Sequence, residues 1–234
     1  MLEILYKSKS AVAVVKPAGV PSQSDASGDK DITALLAERL SALGESGELY
    51  TVHRLDRAVG GIMLLARNKK TAAEISECFA SHKARKKYLA VVEGEARESD
   101  ELVDYIYRDS VLSKAFVTNK RHPRAKEARL SYKCLATKEY GANILSLVEV
   151  TLETGRFHQI RAQLSSRSLP IVGDGKYGSK TRGVPLALFS SSLAVSDGKR
   201  EIVLRALPST DGTPWSLFGE ILEKYSITDG GDKK

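Results

Sequence analysis

The hydrophobic pattern of this chain changes period several times, and these changes limit the possible folds more than any other feature. Val148, Val150 and Leu152 alternate with polar residues, which is the two-residue period of a half-buried strand. Between Ile32 and Leu43 the apolar residues recur at helical spacing instead, which predicts a helix with one buried face. Because strand and helix patterns are interspersed and no repeat or linker divides the chain, we expect one α+β domain. Its sheet should be mixed and largely antiparallel, with flanking helices.

The same patterns predict the order of the elements. We expect strands at Ala11 to Val15, Ile62 to Ala66, Tyr88 to Val92, Leu130 to Leu135, Val148 to Leu152, Leu186 to Val195 and Glu201 to Leu204. We expect helices over Ile32 to Leu43, around Ile75 to His82, and from Pro214 to Tyr225, and a polar loop over Ser22 to Asp31. Residues 1–225 are assigned to the domain, and the small, polar residues 226–234 to a frayed tail.

Composition indicates a globular protein with a basic surface. The 234 residues are 42% hydrophobic and 28% charged, which is ordinary for a globular domain. The 36 Lys and Arg residues outnumber the 29 Asp and Glu residues, so the formal charge is +7. This excess raises the expectation of a nucleic-acid partner.

The sequence lacks the patterns of a metal site, a membrane span and a signal peptide, and this bears on the protein's compartment and partners. Cys78 and Cys134 have neither the spacing of a zinc site nor that of a disulfide framework, so we expect two buried free thiols, a reducing compartment and no metal. No apolar run approaches the ~18 residues of a membrane span. The N-terminal residues alternate charged and apolar side chains too finely for a signal peptide. We therefore expect a cytoplasmic monomer with no membrane partner.

Two charged motifs far apart in the sequence are the best candidates for an active site. The first is His53-Arg54-Leu55-Asp56-Arg57, and Gly60-Gly61 follow it, which predicts a sharp turn with the carboxylate at its apex. The second is Gly155-Arg156-Phe157-His158-Gln159-Ile160-Arg161, a helix-like segment with His158 and Arg161 on one face. A guanidinium beside a carboxylate keeps the carboxylate ionised and fixes its direction. The motifs therefore suggest an aspartate nucleophile with an orienting arginine.

These motifs and two further segments resemble the RluA-type family of RNA pseudouridine synthases. The resemblance rests on His53 to Arg67, Lys87 to Gly94, Gly155 to Gly178 and the opening Val15 to Pro21, and it extends in order from about Ile4 to about Leu207. It implies a two-lobed catalytic domain with a central cleft and isomerisation of uridine to pseudouridine in tRNA or rRNA, without a cofactor. Many relatives carry a small RNA-binding module before the catalytic part, and we expect none here.

The resemblance also implies roles for single residues. Asp56 would be the nucleophile and Arg161 its partner. Tyr88 would stack on the target base and relay a proton, since a phenol has an aromatic face and a titratable hydroxyl. Leu188 would pack against the uracil, although Phe189-Ser190 replace the His-Ala that often follows.

The remaining motif residues are expected to contact RNA. This group comprises Arg54, Arg57 and Gln159, and for His53 and His158 structural support is an equal alternative. Three basic stretches, Arg67 to Lys70, Lys83 to Lys87 and Lys114 to Lys133, are expected to bind the RNA backbone. In the third stretch Lys120, Arg121 and Arg124 lie close to aromatic residues, a combination that suits RNA.

The chain departs from the family pattern in both motifs. Ala58-Val59-Gly60-Gly61 stand where Thr-Ser-Gly is common, and Phe157 replaces the usual threonine before the histidine. Both changes remove hydroxyl groups and leave the charged groups in place. They therefore bear on substrate preference more than on the type of reaction.

Two other classes of protein remain possible from sequence. A nucleoside or glycosidic hydrolase could use the Asp-Arg pair, but such sites usually hold two carboxylates and no second acid adjoins either motif. A non-catalytic RNA-binding or RNA-folding module would need neither Asp56 nor Tyr88, and both are present.

Overall fold

The computed structural model describes residues 2–228, which contain eleven strands and four α-helices. The strands are β1 (Ile4–Lys7), β2 (Ala11–Lys16), β3 (Tyr50–Thr51), β4 (Gly60–Ala66), β5 (Arg85–Glu93), β6 (Ser99–Asp109), β7 (Lys114–Thr118), β8 (Lys126–Tyr140), β9 (Asn143–Leu152), β10 (Leu188–Ser196) and β11 (Glu201–Arg205). The helices are α1 (Ile32–Ser41), α2 (Lys69–Ala80), α3 (Gln159–Ser166) and α4 (Gly219–Thr228). The described residues form two compact units: unit 1 holds residues 2–86 and 189–206, and unit 2 holds residues 87–188 and 207–228.

Unit 1 is a mixed sheet covered by a helix on each face. Its strands lie in the order β1-β2-β4-β10, with β3 paired to β4 and β11 paired to β10. Only the β4–β10 pair is parallel among these. Ala11 and Ala13 of β2 pack on the α2 side of the sheet, and Val12 and Val14 pack on the α1 side. Because both faces are covered, β4 is apolar throughout and does not alternate.

Unit 2 is an antiparallel sheet in the order β5-β9-β8-β6-β7. One face of β6 and β7 packs on α3 and on the 3-10 turn Gly175–Tyr177, where Ile106 and Ala115 meet Ala162 and Tyr177. The opposite face of β6 is more open, and Val103 on it is 49% exposed. The helix that carries Arg161 is therefore fixed to one face of this sheet.

The predicted α+β class and the mixed, largely antiparallel sheet are confirmed. Several details differ from the sequence predictions. β1, β3, β6 and β7 were not predicted, and the basic stretch Lys114 to Lys133 forms β7, a loop and the start of β8. Helix α3 begins only at Gln159, so His158 precedes the helix with a left-handed φ of 51° and does not share a helical face with Arg161. Cys78 is buried as expected, whereas Cys134 is only partly buried, and both are free thiols.

The C-terminal prediction is only partly covered by the structure. Helix α4 continues to Thr228, three residues into the segment that was expected to fray. The rest of that segment, residues 229–234, lies outside the described residues.

Candidate active site

Asp56 lies on the loop between β3 and β4 in unit 1, and neighbouring backbone groups hold that loop. The Ser22 hydroxyl donates to the Leu55 carbonyl (2.7 Å) and accepts from the Leu55 N–H (3.0 Å), so both polar groups of the residue before Asp56 are bound. The Val59 N–H donates to the Asp56 carbonyl (3.0 Å) and closes a turn. The Asp56 backbone is thereby fixed from both sides.

The glycines after the loop serve the sheet and not a turn. Gly60 and Gly61 are the first residues of β4 and pair with Phe189 and Ser190 of β10. Gly61 has a φ of +115°, and a Cβ atom on it would lie 2.4 Å from the Ser190 carbonyl oxygen. A side chain is therefore excluded at Gly61 by both backbone conformation and space. The expected sharp turn is present at Asp56 to Val59, directly before the glycines, which themselves belong to β4.

Lys16 is a buried cation beneath the same loop. Its ammonium group is 0% exposed and donates to three carbonyl groups, those of Val20 (2.7 Å), Pro17 (3.0 Å) and Arg57 (3.2 Å). Burial lowers the pKa of Lys16 to about 8, while the negative charge of Asp56 opposes that shift. The attraction is mutual, so the Lys16 ammonium favours the ionised form of Asp56.

Arg57 ties the Asp56 loop to the polar segment after β2. Its Nε donates to the Gly19 carbonyl (2.9 Å) and its Nη1 donates to the Ser27 hydroxyl (2.9 Å). The guanidinium also forms ion pairs with Asp25 (3.6 Å) and Asp29. These contacts brace the loop, and an RNA contact by Arg57 stays a prediction.

His53 and Arg54 differ in environment. The Leu64 N–H donates to His53 Nε2 (2.9 Å), and the imidazole stacks on Phe79 with ring centroids 4.7 Å apart. Burial, assisted by the charge of Lys86, lowers the pKa of His53 to about 4, so the ring is neutral near pH 7. These contacts favour structural support for His53. Arg54 is exposed, as an RNA contact requires.

In unit 2, Arg161 is held by a carboxylate that the sequence analysis did not single out. Its Nε donates to Asp174 Oδ2 (2.6 Å) and its Nη2 donates to Asp174 Oδ1 (2.8 Å). The Arg161 and Asp174 side chains are 9% and 2% exposed, so the pair is almost fully buried. A two-point contact of this kind fixes the plane of the guanidinium. The guanidinium also lies over the Tyr177 ring, 4.9 Å from its centroid.

Tyr177 connects Arg161 to His158. Its hydroxyl accepts from the Ala115 N–H (2.7 Å) and lies 3.0 Å from His158 Nδ1. The Tyr177 hydroxyl and His158 Nδ1 are thus hydrogen-bonded to each other, and the Ala115 N–H fixes the position of the hydroxyl. Burial, with the charges of Arg161, Lys176 and Arg108, lowers the pKa of His158 to about 3, which agrees with a neutral ring.

Three further residues of unit 2 that were assigned roles, Gln159, Tyr88 and Leu188, are buried. Gln159 is 2% exposed, and its amide accepts from the Thr154 hydroxyl (2.8 Å) and the Arg156 N–H (2.9 Å) and donates to the Arg129 carbonyl (3.0 Å). Its role in the structure is to brace the turn before α3, and its RNA contact stays a prediction. Tyr88 on β5 is 9% exposed, and Leu188 at the start of β10 is 4% exposed.

The loop between β7 and β8 carries exposed cations beside stacked aromatic rings. Lys120, Arg121 and Arg124 are all exposed. The Tyr107 ring stacks with His122, at a ring-centroid distance of 4.0 Å, and with Phe116, at 5.5 Å. Positive charge and aromatic rings thus occur together in this part of unit 2, as predicted for an RNA-binding surface.

Each unit brings together one group of the predicted site residues. Unit 1 brings Asp56, His53, Arg54 and Arg57 together on one loop and adds Lys16. Unit 2 brings Arg161, His158 and Gln159 together at the start of α3 and adds Asp174 and Tyr177. The three added residues all lie in segments that carried the family resemblance, Val15 to Pro21 and Gly155 to Gly178, but no role had been assigned to them. Pairing of Asp56 with Arg161 stays a prediction.

Two kinds of feature are absent between residues 2 and 228. No group of three or more His, Cys, Asp or Glu side chains is placed to bind a metal ion there. None of the helices in that range is long and apolar enough to cross a membrane.

Comparison with known proteins identifies the family. The family model of RNA pseudouridylate synthase matches residues 10–166. The tRNA pseudouridine synthase C of Pectobacterium carotovorum subsp. carotovorum is 33% identical over 187 residues, which cover 76% of this chain and 48% of the relative. The corresponding protein of Haemophilus ducreyi is 34% identical over 184 residues, covering 76% of this chain and 74% of the relative. The matched segment thus spans about half of the Pectobacterium relative and about three quarters of the Haemophilus one.

Solved structures agree in fold. Human RNA Pseudouridylate Synthase Domain Containing 4 superposes with a TM-score of 0.75 at 25% identity, covering 94% of this chain and 93% of the other. Human RNA Pseudouridylate Synthase Domain Containing 1 has a TM-score of 0.79 at 22% identity over 92% of this chain and 86% of the other, which supports the fold alone. The chain belongs to the RNA pseudouridylate synthase family, of the RluA type, whose members are isomerases.

Proposed function

We propose that this chain converts uridine to pseudouridine in tRNA, with Asp56 as the nucleophile. The names of the Pectobacterium and Haemophilus relatives support tRNA over rRNA as the substrate. The observation that carries the proposal is the anchored Asp56 loop: the Ser22 and Lys16 contacts hold the backbone, and the Lys16 charge favours an ionised carboxylate. A nucleophile must be both ionised and fixed in direction.

The reaction needs no redox equivalent and no group donor. The bond between uracil N1 and ribose C1′ breaks, the base turns, and a bond forms between C5 and C1′, while C5 loses a proton and N1 gains one. Asp56 could attack C1′, attack C6 of the base, or stabilise positive charge on the sugar. Tyr88 is proposed to stack on the base and to relay a proton.

Arg161 is proposed to orient Asp56. Its contact with Asp174 uses the Nε and Nη2 edge of the guanidinium and supports this role, because it fixes the plane in which the whole group lies. An orienting group that is itself held by two hydrogen bonds loses little freedom when it acts.

The position of Asp174 also corrects the sequence argument about a hydrolase. No second acid was expected beside either motif, but Asp174 adjoins Arg161 in space. Both of its carboxylate oxygens accept from Arg161, and its side chain is 2% exposed. A carboxylate in that state is not available to protonate a leaving group, so the second acid does not favour glycosidic hydrolysis.

The test is a single-turnover assay on tRNA transcripts labelled with tritium at uracil C5. Wild type should release tritium without releasing free uracil, and Asp56→Asn should release none above background, because the carboxylate acts on the reacting nucleoside. RNA affinity should change little, since binding comes mainly from phosphate contacts.

A matched control is Asp211→Asn, which removes an exposed carboxylate and should keep wild-type turnover. Free uracil as the product would show a hydrolase. Turnover of Asp56→Asn within tenfold of wild type would remove Asp56 as the nucleophile. Mapping modified uridines in cells with and without the protein then identifies the tRNA position.

A further inference from the structure

Three planar side chains of unit 2 form a stacked column beside the Arg161 site. The rings of Phe157 and His158 are nearly parallel, at an interplanar angle of 18°, with centroids 3.8 Å apart. The guanidinium carbon of Arg108 lies 4.3 Å from the centroid of the Phe157 ring. The column thus contains Arg108, Phe157 and His158, in that order.

The inner end of this column is fixed. His158 meets Tyr177 edge-on, with centroids 5.6 Å apart and an interplanar angle of 75°, and its Nδ1 lies 3.0 Å from the Tyr177 hydroxyl. The Arg161 guanidinium lies over this same Tyr177 ring. The column and the proposed orienting arginine therefore share one aromatic support.

The outer end of the column is accessible. Arg108 lies on β6 and is exposed. Within residues 2–228 its side chain makes a stacking contact with Phe157 but no hydrogen bond or salt bridge to protein. Arg161, Lys176 and Arg108 also act electrostatically on the neutral His158, so positive charge accumulates around the column.

We propose that the Arg108 guanidinium, supported by Phe157, is a stacking subsite for the RNA base next to the target uridine. The inference rests on the proposed function and extends it to substrate recognition. A guanidinium plane stacks on nucleobases, and its N–H groups donate to the phosphates beside the stacked base. Phe157 holds that plane in one orientation, so less side-chain freedom is lost when RNA binds.

Phe157 makes this subsite a property of this chain. The family motif usually has threonine at this position, and a threonine has no ring on which Arg108 or His158 could stack. The replacement noted in the sequence therefore adds a recognition element, and Phe157→Thr is the variant that removes it.

The test is a double-mutant cycle, in which the affinities of protein variants are measured for RNA variants. The probe is a synthetic RNA hairpin whose loop has one uridine between two adenosines, with an abasic nucleotide in place of either adenosine. All proteins carry Asp56→Asn, so that affinity is measured without turnover. Arg108→Lys keeps the charge and loses the plane, and it should weaken binding of the intact hairpin on the order of tenfold. For one of the two abasic hairpins, Arg108→Lys should not weaken binding further, because the base on which Arg108 stacks is already missing.

Phe157→Thr should reproduce this pattern and add nothing to Arg108→Lys, because both remove the same stack. Thermal unfolding checks that Phe157→Thr is folded, and Arg108→Lys, an exposed substitution, keeps the test valid if it is not. Arg97→Lys, at an exposed arginine outside the column, should bind all three hairpins like the Asp56→Asn parent protein.

The outcomes separate this inference from the proposed function. Equal losses for Arg108→Lys on intact and abasic hairpins would overturn the subsite, even if wild type forms pseudouridine. A non-additive cycle would support the subsite even if tritium release from tRNA failed, because the cycle measures binding alone.

Discussion

At the scale of single residues, the contact between Asp174 and Arg161 is open to direct test. Asp174→Asn removes the negative charge and one of the two acceptor oxygens that hold the Arg161 guanidinium, and breaking a buried pair costs about 3–5 kcal/mol. We expect urea unfolding to show a loss of that order. Turnover should fall as well, because the plane of the guanidinium is then held less firmly.

Asp211→Asn is again the matched control, since it removes an exposed carboxylate from the same unit and should leave stability unchanged. The bracing role of Asp174 would be refuted by a variant with the stability and turnover of wild type. A variant that lost stability yet kept full turnover at low temperature would limit the contact to folding.

The sequence allowed Asp56 and Arg161 to be proposed, because charged residues in motifs of this kind carry a chemical signal of their own. It did not allow roles for Lys16 and Asp174. Lys16 is important because three carbonyl groups from two segments converge on its ammonium, and Asp174 because it meets a side chain thirteen residues earlier. Such contacts depend on tertiary packing, which no local pattern encodes.

At the scale of elements, the loop between β7 and β8 is predicted to dominate the salt dependence of RNA binding. Substituting Lys120, Arg121 and Arg124 together by glutamine removes three exposed cations. Each lost phosphate contact reduces the slope of log affinity against log salt by about 0.7 to 0.9. The slope should therefore fall by about 2, as measured by fluorescence anisotropy with labelled tRNA over a range of salt concentrations.

A control triple variant substitutes Arg97, Lys138 and Lys199, which are equally exposed but lie outside the three basic stretches. It lowers the net charge by the same amount and should leave the slope close to that of wild type. Equal effects of the two triple variants would mean that net charge, and not this loop, determines binding.

Elements with a continuous apolar run or a clean alternation were predictable, as β2, β4 and β9 show. β6 was not predictable, because its apolar and aromatic residues lie on both faces of the strand. Leu102 and Ile106 face α3, whereas Val103, Tyr105 and Tyr107 lie on the other face, so the sequence does not alternate. β7 is only five residues long and lies in a basic stretch, which hides its alternation. Strand pairing stabilises both elements more than their own sequences indicate.

At the scale of the whole molecule, two neutral histidines predict how stability depends on pH. The pKa of His53 is about 4 and that of His158 about 3, both below the ordinary 6.5. In acid the unfolded chain therefore binds protons that the folded chain does not. The stabilisation from these neutral rings is complete above pH 6.5 and is lost progressively as the pH falls from 6.5 through the folded pKa values.

His53→Gln should reduce this dependence, because glutamine can accept from the Leu64 N–H and does not titrate. Between pH 7 and pH 5 the variant should lose less stability than wild type, by at most about 2 kcal/mol in urea unfolding. His82→Gln, at an exposed histidine, should keep the wild-type dependence. An unchanged dependence in His53→Gln would mean that His53 is not held neutral in the folded chain.

Because Lys16 is buried, acylation of its amine can measure how often the segment between β2 and α1 opens. Burial lowers the pKa of Lys16 to about 8 in the closed protein, and in an opened molecule the pKa returns toward the ordinary lysine value. Acylating reagents need a neutral amine and access to it, and Lys16 is 0% exposed. Acylation of Lys16 therefore proceeds only through opened molecules. Its rate, read by peptide mass spectrometry with and without tRNA, reports how often the support of the Asp56 loop opens.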